Sequence, residues 1–217
     1  MMPPDFSEQR RRMVDQQIAT PARGVDNRRV IEAVAATPRH EFLPENVRAS
    51  AYDDCALPIG HGQTISQPYV VAFMTAALDP QPDDRVLEVG TGSGYQAAVL
   101  APLVAHVFTI EIVPALAERA RATLERLGYA NVSTRCGDGY GGWPGEAPFD
   151  AIIATCAPQA VPGPLVAQLA EGGRMALPVG GSGHQDIHLI EKRDGGLRNR
   201  KVLPVRFVPM TGRAESA

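Results

Sequence analysis

The chain is poor in the residues that usually announce specialised chemistry. It has three cysteines, one tryptophan and five histidines in 217 residues. Cys55, Cys136 and Cys156 are too few and too scattered for a disulfide scaffold or a C-x-x-C zinc site. His40, His106, His184 and His188 lack metal-ligand spacing, so no metal is expected. Charge of one sign is also scarce: the formal net charge is −3, which leaves no global basic field for nucleic acid or anionic lipid. Long apolar runs are missing. The longest, near 97–110, is broken by Pro102 and His106 and falls short of the roughly 20 residues of a membrane span. The first 20 residues carry Arg10-Arg11-Arg12 and Asp15 and no apolar signal core. These absences predict a soluble, cytoplasmic protein with reduced thiols and no membrane or nucleic-acid partner; a monomer is the expected state, although the sequence does not reveal it.

What the chain does have is apolar content of 44% together with 21 glycines and 19 prolines. The apolar content is that of a globular protein, so the surplus of Gly and Pro belongs in the loops of a folded domain. It concentrates in five segments: 58–68, 90–94, 137–148, 158–164 and 172–183.

Residues 1–50 read as helices. One starts near Asp5-Phe6-Ser7. Another spans 27–36, with Asp26 as its expected N-cap and Thr37-Pro38 as its stop. Residues 51–68 read as a long loop, and Pro68 opens a helix through Leu78. From residue 85 the pattern alternates. Strands are expected at 85–89, 106–110, 132–135, 149–154 and 174–179. Helices are expected at 95–103, 114–127 and 165–170, and a final antiparallel pair at 186–192 and 201–208. This alternation predicts an α/β fold with a doubly wound, mostly parallel sheet, a C-terminal antiparallel strand, and N-terminal helices packed on it. Residues 1–80 and 81–217 are expected to form the two parts of a single domain.

The strongest chemical signal is Glu88-Val89-Gly90-Thr91-Gly92-Ser93-Gly94, a strand running through a Gly-rich turn into a helix. Such a turn lets a ligand approach the backbone and the free N–H groups of a helix start. Glu111 lies 21 positions after Gly90, where a carboxylate holds a ribose diol. The pocket therefore suits a nucleoside. A dinucleotide fingerprint would need a small residue where Tyr95 stands, which disfavours a nicotinamide dehydrogenase. Gly137-Asp138-Gly139 follows the third strand at the same sheet edge. Asp138 reads equally as a plain turn residue, and Asp150 as a strand-start residue. Cys136 reads as a pocket-wall or core thiol, and Trp143 as a packing residue.

The G-x-G-x-G turn resembles the first motif of class I S-adenosylmethionine methyltransferases, whose Rossmann-like sheet fits the strand pattern. Within that class, Pro58-Ile59-Gly60-His61-Gly62-Gln63-Thr64-Ile65-Ser66-Gln67-Pro68 closely resembles the signature of protein-L-isoaspartate O-methyltransferases. The similarity extends over most of the chain, including Tyr52-Asp53-Asp54, Leu177-Pro178-Val179-Gly180 and Val205-Arg206-Phe207-Val208-Pro209. Cys55 and His61 depart from it, standing where an aliphatic residue and an asparagine are expected.

The resemblance implies a protein-repair enzyme that methylates the free α-carboxyl of L-isoaspartyl residues in damaged proteins and peptides. S-adenosyl-L-methionine is the implied cofactor. The ester then cyclises to a succinimide, and hydrolysis returns part of it as L-aspartyl. Ser66 matches the active-site serine. Thr64, Ile65, Gln67, Glu88, Gly90, Thr91, Gly92, Ser93, Gly94, Glu111, Asp138 and Gly139 are the implied cofactor-binding residues, with Asp138 meeting the adenine amine. The chemistry suits a serine. A carboxylate with a pKa of about 4 is already the nucleophile at neutral pH and needs orientation rather than a base. Ser66 has a second reading, as the N-cap of the helix starting at Pro68. The 58–68 segment alone separates isoaspartyl repair from a class I methyltransferase acting on a small molecule or another carboxylate; the uninterrupted motifs for both cofactor and carboxylate argue against an adaptor that keeps only cofactor binding.

Overall fold

The computed structural model describes residues 6–181 and 183–215; Asp5, the expected start of the first helix, lies outside them. The N-terminal part contains α1 (Phe6–Met13), continued by a π-helical turn over Val14–Ile18, and α2 (Arg28–Ala36). Asn27, one residue later than expected, caps α2: its side-chain oxygen accepts the Val30 N–H at 3.3 Å. Asp and Asn cap equally well, so adjacent Asp26 and Asn27 could not be ranked by residue type.

The segment expected to be a loop contains a hairpin. β1 (Leu57–Gly60) pairs antiparallel with β2 (Gln63–Ile65). Its turn residues His61 and Gly62 both have positive φ, 54° and 70°, as a two-residue type I′ connection requires. Histidine, like asparagine, is among the side chains that tolerate this region. The Gly and Pro content that suggested a loop is the turn chemistry of a short hairpin. α3 (Pro68–Leu78) follows, with Pro68 in its first turn and eight of eleven residues buried.

The main sheet has seven strands: β3 (Arg85–Val89), β4 (His106–Glu111), β5 (Val132–Cys136), β6 (Phe149–Ala154), β7 (Leu169–Gly180), β8 (Gln185–Arg193) and β9 (Gly196–Val205). Their spatial order is β5-β4-β3-β6-β7-β8-β9. The first five are mutually parallel, with Val86 opposite Val107 and Ala151. β8 runs antiparallel to both β7 and β9. The expected mostly parallel, doubly wound sheet is present. The final hairpin is tighter than expected: Asp194 and Gly195 alone form the turn, both with positive φ, so β9 starts at Gly196 rather than Lys201. Arg198, Asn199, Arg200 and Lys201 made this strand read as loop. It is an edge strand, where charged side chains are normal.

Side chains alternate between two apolar layers, as a strand's period of two dictates. Val86, Val107, Ala151 and Ile153 face a core shared with α2, α3, α4 (Tyr95–Leu100) and α5 (Pro114–Arg126). Leu87, Val89, Phe108, Ile110 and Ile152 face a second core that includes Leu165 of α6 (Gly163–Gln168), Met210 and Ala214. Trp143 packs in this second layer, edge-on to Phe108. Asp150 accepts the Arg85 N–H at 2.8 Å, the strand-start alternative for that residue.

Candidate active site

The parallel strands end at one edge, and three adjoining cavities open there. A cleft of about 540 Å³ lies beyond β3, β4 and β6 and is roofed by residues 208–211. A recess of about 270 Å³ lies under the Gly-rich turn. A groove of about 810 Å³ runs between the β1–β2 hairpin, α3 and residues 203–207. Thr64 and Thr155 line all three, and Ser66 lines the recess and the groove. This is where ligands bind in open parallel α/β sheets.

The Gly-rich turn is shaped by close approach. Gly90 has φ +96°, and a Cβ there would sit 2.6 Å from Thr155 Oγ1. Gly94 lines none of these cavities. It has φ +90° and packs against Ala120 and Leu124 of α5, so its smallness serves helix packing. Ser93 accepts the Tyr95 N–H at 3.3 Å and lines the recess.

Glu111 ends β4 and lines the cleft, 5% exposed. Its Oε2 accepts the Gly92 N–H at 2.7 Å and its Oε1 the Val113 N–H at 2.9 Å. A carboxylate has about four acceptor directions, so both oxygens keep capacity for a ligand diol. Beside it Ile112, 38% exposed, offers an apolar wall. Neither Ile112 nor Thr155 and Cys156, which follow β6, was singled out as a site residue. Their signal was position alone: each lies within two residues of the end of a strand at the ligand edge. Cys156 lines the cleft, and burial pushes its thiol up to about 12. Cys136, expected in a wall or core, is exposed.

Glu88 is fully buried and lines the recess. The Thr109 hydroxyl donates to its Oε2 at 2.6 Å, and Thr91 and Thr109 share a hydrogen bond of 2.6 Å. Its Oε1 has no partner among the described residues. Burial pushes the carboxyl up to about 8. The Thr109 hydrogen bond opposes that rise, and the negative charge of Glu111 adds to it.

The remaining expected residues divide between the cavities. Ile65 is buried and lines the recess, Gly139 lines the cleft, and Gln67 lines the groove. Asp138 lines none of the three. Its Oδ1 accepts the Tyr140 N–H at 2.9 Å, and its Oδ2 accepts the Arg213 backbone N–H at 3.0 Å and Nε at 3.2 Å. Burial alone would raise its pKa, but these hydrogen bonds outweigh burial and hold it below the usual carboxylate range. Asp138 thus ties the C-terminal segment down beside the cleft. The α3 N-cap position belongs to Gln67 and has no side-chain cap bond, and the Ser66 hydroxyl has no hydrogen bond among the described residues. Only the Ser66 carbonyl is engaged, accepting from Arg39 at 3.0 Å.

The family model for protein-L-isoaspartate(D-aspartate) O-methyltransferase matches residues 8–215. The chain belongs to this family. A protein-L-isoaspartate O-methyltransferase of Gloeobacter violaceus is 53% identical over 92% of this chain and 97% of its own length. One from Opitutus terrae is 52% identical over 94% of this chain and 88% of its own. A solved protein-L-isoaspartate O-methyltransferase superposes with a TM-score of 0.84 at 32% identity, covering 96% of this chain and 67% of that one. A Plasmodium falciparum structure, described as a putative member in complex with S-adenosyl-L-homocysteine, shares the fold. Its TM-score is 0.79 at 24% identity, covering 93% of this chain and 98% of that one.

Proposed function

We propose that this chain transfers a methyl group from S-adenosyl-L-methionine to the free α-carboxylate of L-isoaspartyl residues in damaged proteins and peptides. The observation that carries the reading is the junction at Thr64 and Thr155, where cleft, recess and open groove come together, with Ser66 lining the recess and the groove. The residues fit the cofactor. Glu111 offers acceptors to a ribose diol, Ile112 and Gly139 line the wall for a base, and the unpartnered Glu88 Oε1 suits an ammonium group. Thr64, Ile65, Thr91, Gly92 and Ser93 complete the recess, while Asp138, which lines none of the three cavities, holds Arg213 beside the cleft. The cofactor supplies a methyl group activated by a sulfonium.

The chain's own work is to bind and orient. Among the described residues, the charged ones lining the groove are Arg23 and Arg206, with no carboxylate, which favours an anionic substrate. Arg23 is shared with Asp54 at 2.6 Å and stacks over Tyr69, which fixes one wall. The free Ser66 hydroxyl donates a hydrogen bond that orients the substrate carboxylate without neutralising it, since a nucleophile already ionised at neutral pH needs no base. One carboxylate oxygen takes the methyl group, whose bond to sulfur breaks to leave S-adenosyl-L-homocysteine, and the ester later closes to a succinimide when the following backbone nitrogen of the substrate displaces methanol. Residues 1–80 supply the substrate side and 81–217 the cofactor side of one domain. No described helix is long and apolar enough to cross a membrane. A cytoplasmic monomer acting on damaged proteins, without nucleic acid or metal, completes the reading.

The test is incubation with labelled S-adenosylmethionine and matched isoaspartyl and aspartyl peptides. Label is expected on the isoaspartyl peptide alone; equal labelling of both, or of neither, overturns the reading.

A further inference from the structure

Arg39 is the largest side chain buried out of contact with solvent, at 0% exposure. Such an arginine normally has a carboxylate partner, because an unpaired buried charge is costly. No ion pair of Arg39 is found among the described residues. Its guanidinium instead serves backbone carbonyls. Nη1 donates to Ala51, and Nη2 donates to Cys55 at 3.1 Å and to Ser66 at 3.0 Å. Its Nε is buried without a partner among the described residues.

The placement of these carbonyls matters. Cys55 precedes β1 and Ser66 follows β2, so one nitrogen spans the foot of the hairpin that carries Gln63 and Thr64 to the cleft. The other side of the hairpin is held by Arg119, which donates to the Ile59 carbonyl at 2.6 Å. Arg39 also lies 5.9 Å from the ring of Tyr95, the residue directly after the Gly-rich turn. One cation therefore touches both the substrate hairpin and the helix that starts the cofactor turn.

We propose that Arg39 is a positioning residue for methyl transfer, fixing the foot of the β1–β2 hairpin so that the Ser66 hydroxyl stays at the junction of groove and recess. The inference rests on the function proposed above. A planar fork can hold three carbonyls at once, whereas a lysine ammonium on a single stem cannot reproduce that geometry. Misplacement of a reacting group by about 1 Å costs on the order of 100-fold in rate.

The test compares Arg39→Lys and Arg39→Met with the wild type at saturating isoaspartyl peptide. We expect kcat to fall about 10-fold in the lysine variant and about 100-fold in the methionine variant, as graded loss of orientation predicts. S-adenosylhomocysteine affinity should stay within about threefold in both, because Glu111 and the Gly-rich turn keep their own hydrogen bond to one another. A general strut would lower thermal stability and cofactor affinity together and leave kcat of the folded fraction intact; either result overturns the inference. If neither variant folds, isotope-labelled wild type decides: a coupling across the hydrogen bond from Arg39 Nη2 to the Ser66 carbonyl carbon is expected, and its absence overturns the inference. Wild type that fails to distinguish isoaspartyl from aspartyl peptide refutes the proposed function instead, so the two failures are separable.

Discussion

Replacing Glu88 by glutamine should make the stability of the ligand-free protein less dependent on pH. The carboxyl is fully buried, and burial first of all raises its pKa from 4.5 to about 8. In the unfolded chain it ionises near the ordinary value. Between pH 4.5 and 8, folding must therefore take up a proton. A raised folded-state pKa gives stability that is complete below the unfolded value and is lost as pH climbs towards the folded one, at about 1.4 kcal/mol per pH step. From pH 5 to pH 7.5 the wild type should lose roughly 3 kcal/mol through this group. Glutamine keeps an acceptor for the Thr109 hydroxyl and has no proton to exchange. Whatever its fixed cost, the difference between variant and wild type should swing by roughly 3 kcal/mol in favour of the variant over that interval. Urea unfolding of both proteins at the two pH values measures it directly, with the linear slope checking that the transition stays two-state. A difference that does not move with pH means Glu88 ionises normally inside the fold, and the reasoning about the recess fails.

Other outcomes test separate parts of the site. Ser66→Ala should lower kcat by about 10- to 100-fold, the worth of one hydrogen bond to a charged group, while cofactor affinity holds. The same variant should unfold within about 0.5 kcal/mol of wild type, because no cap bond is lost; a drop near 1 kcal/mol would revive the N-cap reading. Glu111→Ala should weaken S-adenosylhomocysteine binding about 10- to 100-fold in calorimetry, since it removes acceptors for a diol and for the Gly92 N–H. Unchanged affinity would remove Glu111 from the ribose site. Gly90→Ala should destabilise by about 1–3 kcal/mol and abolish cofactor binding, because φ is +96° and the new Cβ would meet Thr155 Oγ1 at 2.6 Å.

The parts of this protein that were legible beforehand are those where one physical rule acts alone. The buried runs at 85–89 and 149–154 can only be central strands, and Pro68 and Pro114 mark helix starts. The Gly-rich turn announced a ligand edge because strand, glycines and helix occur in sequence. Places where two rules compete read less well. Residues 57–65 carry enough Gly and Pro for a loop, yet His61-Gly62 makes a hairpin turn, and a three-residue strand is too short to show alternation. β9 lost its N-terminal half to its own charges, because an edge strand and a solvated loop have the same composition. Asp138 shows a different limit. Its place after β5 was clear, but its partner Arg213 is 75 residues away, and no local pattern encodes that pairing. Arg39 is similar: no local pattern marks the three carbonyls, from Ala51, Cys55 and Ser66, that the fold brings to it.

The central claim is that the hairpin and the Gly-rich turn together present a free α-carboxylate to an activated methyl group. It is tested most directly by methyl transfer to one peptide synthesised twice, once with an L-isoaspartyl linkage and once with the normal aspartyl linkage. The two substrates carry the same atoms and the same charge and differ only in where the carboxylate sits. Label appearing as a base-labile ester on the isoaspartyl form alone is the predicted result; equal label on both forms, or none on either, contradicts it.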